Sequence, residues 1–301
     1  MINGIINIYK EKGYTSHDVV AVLRGICKQK KIGHTGTLDP DAEGVLPVCF
    51  GSATKLCELL TEKDKEYIAT MKLGVETDTQ DTTGTILIKK EVHVSVEEVQ
   101  DAVRAFTGKQ KQIPPMYSAV KINGKKLYEL ARAGIEVERK AREITVHKIE
   151  ILSTDGDEIK LKVLCSKGTY IRTICHDIGQ MLGCGAAMSS LVRSQSGEFV
   201  IENALKLSEV EKLVNSNEIE NYCITTEQVF SKLKKIVLKP EFDKVLKNGN
   251  AIRMEHIVDG DKFLNDEEVS VYDSEKQFCA VYQYDTGQNM FRPVKMFLHQ
   301  S

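Results

Sequence analysis

Apolar and polar positions along the chain change period several times, and each change marks an element. Tyr67, Ala69, Met71 and Leu73 alternate with Ile68, Thr70 and Lys72, the period of two expected of a half-buried strand. Ile144–Leu152 and Ile159–Cys165 repeat that habit on either side of Asp155-Gly156-Asp157, which predicts a hairpin. The run from Gly4 to Tyr9 is apolar and β-branched, so it reads as a more deeply buried strand. Helical spacing follows where Thr15-Ser16-His17-Asp18 precedes Val19, Val20, Leu23 and Ile26, and where the capping box Ser95-x-x-Glu98 accompanies a stripe of Val96, Val99, Val103 and Phe106, with Gly108 as the expected stop. A further helix opens at Gly168–Arg172 and carries Ile171, Ile174 and Ile178. Ile113–Ile122, with Pro114-Pro115, must start extended and leads to an Asn123-Gly124 turn, after which a short helix over Leu127–Arg132 stops at Gly134.

The pattern shifts in the last third. Asn203–Glu220 is acidic and helical, and from Ile236 short strands recur between the turn signals Asn248-Gly249, Asp259-Gly260 and Asp285-Thr286-Gly287. Strands and helices mixed over the first part and a β-rich tail predict an α+β chain of two parts, divided as 1–230 and 231–301.

Composition adds few constraints. The 301 residues, 42% hydrophobic and 28% charged, describe a folded globular protein. The eight cysteines lack C-x-x-C or Cys/His metal spacing, and no apolar run approaches the roughly 20 residues of a membrane span, so the expectation is a cytoplasmic protein with reduced thiols, no metal and no membrane contact. The net charge of −2 conceals an asymmetry. Between Arg104 and Lys148 eleven basic residues face four acidic ones, a local +7 against −9 elsewhere, which is either a solvated surface or the footprint of a polyanion.

One stretch, GHTGTLDPDAEGVLP at 33–47, is too rich in Gly, Pro and Asp for a regular element and predicts a structured loop. It is no phosphate-binding loop, because G-x-x-x-x-G-K-[ST] is absent; Gly183-Cys184-Gly185 lacks the third glycine of a dinucleotide fingerprint, and no G-x-S-x-G occurs. Asp39, between Leu38 and Pro40, is then either a turn residue or a nucleophile or general base needing no cofactor. Tyr67 and Tyr170 offer flat surfaces for a base if they line a pocket, and Arg172 could hold Asp39 if the fold joins them. Spacing alone leaves these alternatives open.

The motif GHTGTLDPDAEGVLPV at 33–48 resembles the catalytic loop of the TruB family of bacterial tRNA pseudouridine synthases. Asp64–Tyr67 with Thr77–Asp81, Pro114–Lys121, Gly124–Gly134 and Cys165–Arg172 resemble the same family in the same order. The resemblance implies a pseudouridine synthase fold with a mixed, largely antiparallel central sheet flanked by helices, a thumb-like RNA-binding insertion at about 109–134, and a small C-terminal PUA-like β-barrel. It implies isomerisation of the T-loop uridine, U55, by base flipping and without a cofactor. Asp39 falls on the catalytic aspartate, Arg172 on the arginine that pairs with it, and Tyr67 on the tyrosine that stacks on the target base. Tyr170 and Leu191 fall on the uridine pocket, and His34 on a residue near the space the base vacates. Lys121, Lys125 and Lys126 would contact RNA, with Lys232, Lys234, Lys235 and Lys239 as candidates in the tail. The implied partner is the T-arm of tRNA, met by a monomer without an obligate protein partner. The alternatives are a noncatalytic tRNA-binding or folding protein, or the same reaction on another RNA.

Overall fold

The structure is a computed structural model that describes residues 1–259 and 262–298; Gly260 of the expected Asp259-Gly260 turn and the last three positions of the tail lie outside the described residues. The chain opens with β1 (Gly4–Lys10), α1 (Ser16–Cys27), β2 (Ile32–His34), β3 (Glu43–Phe50), α2 (Cys57–Thr61) and β4 (Lys65–Leu73). A small hairpin, β5 (Val75–Thr77) and β6 (Ile86–Lys89), precedes α3 (Val96–Ala105) and β7 (Gly108–Gln112). The turn predicted at Asn123-Gly124 joins β8 (Lys121–Ile122) to β9 (Lys125–Lys126), both turn residues lying at positive φ, and α4 (Leu127–Arg132) follows. Then come β10 (Arg142–Asp155), β11 (Glu158–Cys165), α5 (Ile171–Met181), β12 (Ala186–Ser196), β13 (Phe199–Val200), α6 (Leu207–Asn215) and α7 (Thr226–Val229).

Nine of these strands make one sheet, in the order β1-β3-β12-β4-β11-β10-β7, with β2 added on β3 and β13 on β12. All pairs are antiparallel except β12 with β3, so the sheet is mixed and largely antiparallel. The period-two strand β4 lies at its middle, with Tyr67, Ala69, Met71 and Leu73 facing α3 and α5 through Val99, Val103, Ile171, Ile174 and Ile178. Strand β1 is mostly apolar because both its faces are covered: Ile6 and Ile8 meet α1 and α6, while Ile5 packs in a separate cluster with Val45 and Phe199.

The tail forms β14 (Lys234–Val237), α8 (Asp243–Lys247), β15 (Ile252–Arg253), β16 (Glu268–Tyr272), β17 (Phe278–Asp285) and β18 (Met290–Met296). Its five strands, in the order β14-β16-β17-β18-β15, curl into a half-barrel with its own core of Ile236, Val269, Val271, Tyr282 and Phe291. Val281 of β17 and Phe297, just beyond β18, pack with Ile5, Val45 and Leu56, so the tail is joined to the main sheet by shared apolar surface.

Two boundaries differ from the sequence reading. The stretch 33–47 is irregular only over 35–42, since β2 reaches His34 and β3 begins at Glu43. Gly44 makes this possible. Its φ is +103°, and a Cβ there would sit 2.3 Å from the Arg193 carbonyl oxygen on the neighbouring strand. Gly44→Ala is therefore expected to destabilise the fold by about 3 kcal/mol, combining backbone strain with overpacking, as read by chemical denaturation. The second difference is at α3, which ends at Ala105; Gly108, at φ +109°, instead starts the edge strand β7 on β10. Its residues GKQKQ are polar in the manner of an edge strand, and so carry no apolar alternation to announce it.

Candidate active site

Residues 35–42 are held almost entirely through their backbone. The last residue of β1, Lys10, is fully buried, and its ammonium donates to the carbonyls of Ala42 at 2.5 Å, Pro40 at 3.1 Å and Glu11 at 3.3 Å. Burial pushes this lysine down to about 8, with Asp39, Glu43 and Asp41 opposing. The Ser16 hydroxyl, at the start of α1, accepts from the Leu38 N–H at 2.9 Å and donates to the Leu38 carbonyl at 3.3 Å. From β12, the buried Arg193 donates to the carbonyls of Val45 at 2.6 Å and Gly36 at 3.2 Å. With the loop fixed in this way, the Asp39 side chain is not needed to hold it and remains half-exposed.

Arg172 meets that side chain. It occupies the first turn of α5, a place where an arginine ordinarily faces water, yet it is 5% exposed. One terminal nitrogen lies 3.0 Å from Asp39 Oδ2 and donates to the Tyr117 carbonyl at 2.8 Å. The other donates to the Thr79 carbonyl at 2.9 Å and lies 3.6 Å from Asp81 Oδ2. Asp81 is itself pinned by the Thr79 and Thr83 hydroxyls at 2.8 and 2.6 Å. The start of α5 is fixed by Gln112 of β7, whose amide pairs with both the N–H and the carbonyl of Tyr170, at 2.8 and 3.0 Å. One guanidinium thus gathers three segments far apart in sequence around a single carboxylate.

A cavity of about 610 Å³ opens at this point, and Asp39, Tyr67, Tyr170, Leu191 and Arg172 all line it. Its volume falls in the range of small-molecule sites. Tyr67 projects from the middle of the sheet and is almost wholly buried. Desolvation pushes its phenol up, the adjacent Arg193 guanidinium pulling the other way, so the ring carries a protonated hydroxyl at neutral pH. At the rim, Arg142 lies 6.0 Å from the centre of the Tyr170 ring.

The remaining sequence candidates lie elsewhere. His34 does not line the cavity; it packs edge-on against His17 with ring centres 5.2 Å apart, and burial pushes it down to about 4, so it is neutral. Lys121, Lys125 and Lys126 sit on the β8–β9 hairpin, the first two exposed and the third donating to the Tyr128 hydroxyl at 3.1 Å. In the tail, Lys232, Lys234 and Lys235 pair with Glu198, Glu267 and Glu227 at 2.8, 2.9 and 3.4 Å, so that run is largely neutralised. Lys10, Ser16, Gln112 and Arg193 were missed in the sequence. The one signal was a charged residue at the end of the apolar run of β1 and another within the strand-like LVRSQS of β12. Among the described residues no helix is long and apolar enough to cross a membrane.

A model described as TruB family pseudouridylate synthase (N terminal domain) matches residues 24–171, and one described as tRNA pseudouridylate synthase B C-terminal domain matches 172–241. The tRNA pseudouridine synthase B of Lachnoclostridium phytofermentans is 51% identical over 99% of this chain and 100% of its own length. That of Alkaliphilus oremlandii is 47% identical over 93% of this chain and 92% of its own. Among solved structures, a Cbf5-Nop10-Gar1 complex contains a chain 29% identical, with a TM-score of 0.72 over 98% of this chain and 85% of that one.

Proposed function

The chain belongs to the TruB family of pseudouridylate synthases, and from that premise we propose that it converts uridine 55 in the T-loop of tRNA to pseudouridine, with Asp39 as the catalytic carboxylate. The observation that carries the reading is the Asp39–Arg172 pair at 3.0 Å on the wall of a cavity that Tyr67 also lines. The reaction breaks the bond between N1 and C1′, turns the uracil and joins C5 to C1′, with the C5 proton lost and a proton gained at N1. Every atom comes from the substrate and water, so one anionic group beside C1′ suffices to start it. Asp39 is that group. Arg172 aims it, and because the guanidinium is already tied to two carbonyls it cannot follow the carboxylate away from the cavity.

Tyr67 stacks on the uracil, and its protonated phenol relays the proton between ring and solvent. Leu191 and Tyr170 close the sides of the pocket around a flipped nucleotide, whose unstacking costs a few kcal/mol that these contacts partly return. His34, neutral and packed on His17, lies outside the cavity and would face the space that the flipped base leaves in the RNA. Residues 1–230 form the catalytic domain, the insertion near 109–134 grips the T-arm, and 231–301 form a second RNA-contacting domain. The protein acts in the cytoplasm as a monomer. The test is to map pseudouridine in tRNA and in an isolated T-arm hairpin after incubation with the pure protein; its absence at position 55 in both would refute the reading.

The basic hairpin gives a second test. Reversing charge at Lys121, Lys125 and Lys126 is expected to weaken tRNA binding and to reduce the slope of log affinity against log salt by about 0.7–0.9 for each phosphate that these lysines no longer neutralise. A titration series in KCl reads this directly, and an unchanged slope would move the RNA to another face.

A further inference from the structure

Among the described residues three buried side-chain polar atoms lack a hydrogen-bond partner: Asn7 Oδ1, His176 Nδ1 and Ser118 Oγ. Of the three residues only Ser118 lines the catalytic cavity. Its backbone is fully committed, the N–H donating to the Met116 carbonyl at 2.9 Å and the carbonyl accepting from the Tyr128 N–H at 3.1 Å. The residue is 5% exposed, so its position is fixed and only the hydroxyl is free to turn among its staggered rotamers. A buried hydroxyl without a partner is costly to keep, and a ligand that supplies one recovers that cost.

Its neighbours say where such a ligand atom lies. The Arg172 nitrogen that pairs with Asp39 at 3.0 Å also bonds the carbonyl of Tyr117 at 2.8 Å, so Ser118, the next residue along the chain, lines the cavity on the side of the reacting carboxylate. On the isomerase reading, on which this inference rests, C1′ of the target nucleotide lies against Asp39, and the 2′-hydroxyl is carried by the next carbon of the ring. Phosphates are better served by Arg142 and the lysines of the β8–β9 hairpin, and the uracil by Tyr67 and Leu191. We infer that Ser118 Oγ hydrogen-bonds the 2′-hydroxyl of the flipped nucleotide and is the residue by which this site distinguishes ribose from deoxyribose. Both hydroxyls donate and accept, so the bond forms with either polarity.

The test uses full-length protein and two T-arm hairpins, one with uridine and one with 2′-deoxyuridine at the target position. Binding is compared for Asp39→Asn and for Asp39→Asn with Ser118→Ala, so that turnover does not intervene. Adding Ser118→Ala is expected to weaken the ribose hairpin about fivefold and leave the deoxyribose hairpin unchanged, erasing the preference between them. Its melting midpoint should not fall, because the hydroxyl has no partner to lose in the free protein. Equal weakening of both hairpins, no weakening of either, or a lowered midpoint with no ribose-specific loss would overturn the assignment. Failure of the parent reading looks different: the unaltered protein would then form no pseudouridine in the ribose hairpin.

Discussion

Asp39→Asn is expected to reduce pseudouridine formation by at least about 10³-fold while tRNA affinity stays within about tenfold. The substitution keeps the size of the side chain and an oxygen that Arg172 can still reach, but removes the anion. The loop itself should not move, because Lys10, Ser16 and Arg193 hold it through backbone groups and none of those bonds involves the Asp39 side chain. Arg172 also keeps Asp81 as a counter-charge at 3.6 Å. Stability should therefore change by less than about 1 kcal/mol, as expected for an ion pair with one half-exposed partner. Release of tritium from substrate labelled at C5 of uridine measures the reaction, since that position loses its hydrogen, and a filter-binding isotherm measures the affinity. Turnover equal to that of the unaltered protein would remove Asp39 from the chemistry.

How much of this was legible in the sequence depended on whether the signal was local. Strand β4 and helices α1 and α3 announced themselves because their periods and caps are properties of consecutive residues; Thr15 with Asp18 and Ser95 with Glu98 form both halves of their capping boxes. The polar strand β7 did not, since its reason for being extended is the ladder with β10, and the partner lies about thirty positions away. The same division runs through the site. Asp39, Tyr67, Tyr170 and Arg172 are open candidates from the residues themselves and, with Leu191, take their roles from a family resemblance; the fold brings all five to one cavity. Spacing alone could not join Asp39 to Arg172 because the contact is made by tertiary packing. Lys10 and Arg193 left only a weak signal, since a charged residue in a strand reads as a surface residue unless one knows that carbonyls of another segment meet it. The basic segment, by contrast, is legible once charge is counted locally, because only the average of −2 over the whole chain erases it.

Arg172→Met should damage stability and activity together. The guanidinium is buried, donates to the Thr79 and Tyr117 carbonyls at 2.9 and 2.8 Å, and faces two carboxylates. A thioether fills much of the space and satisfies none of these acceptors. Breaking a buried charge network by removing one partner costs roughly 3–5 kcal/mol, and the lower part of that range applies here because Asp39 can turn toward water. Arg172→Lys should recover part of the stability but little of the activity, since a single ammonium cannot reach Asp39, Asp81 and two carbonyls on opposite sides of a planar fork. Denaturation midpoints and turnover of the two variants separate the contributions. A lysine variant as active as the parent would show that Asp39 needs only a nearby positive charge, and the oriented pair would then lose its place in the mechanism. The combination with Asp39→Asn completes the argument. If Arg172 acts on the reaction through Asp39, then in the Asp39→Asn background Arg172→Lys should still lower stability but should reduce the residual turnover no further.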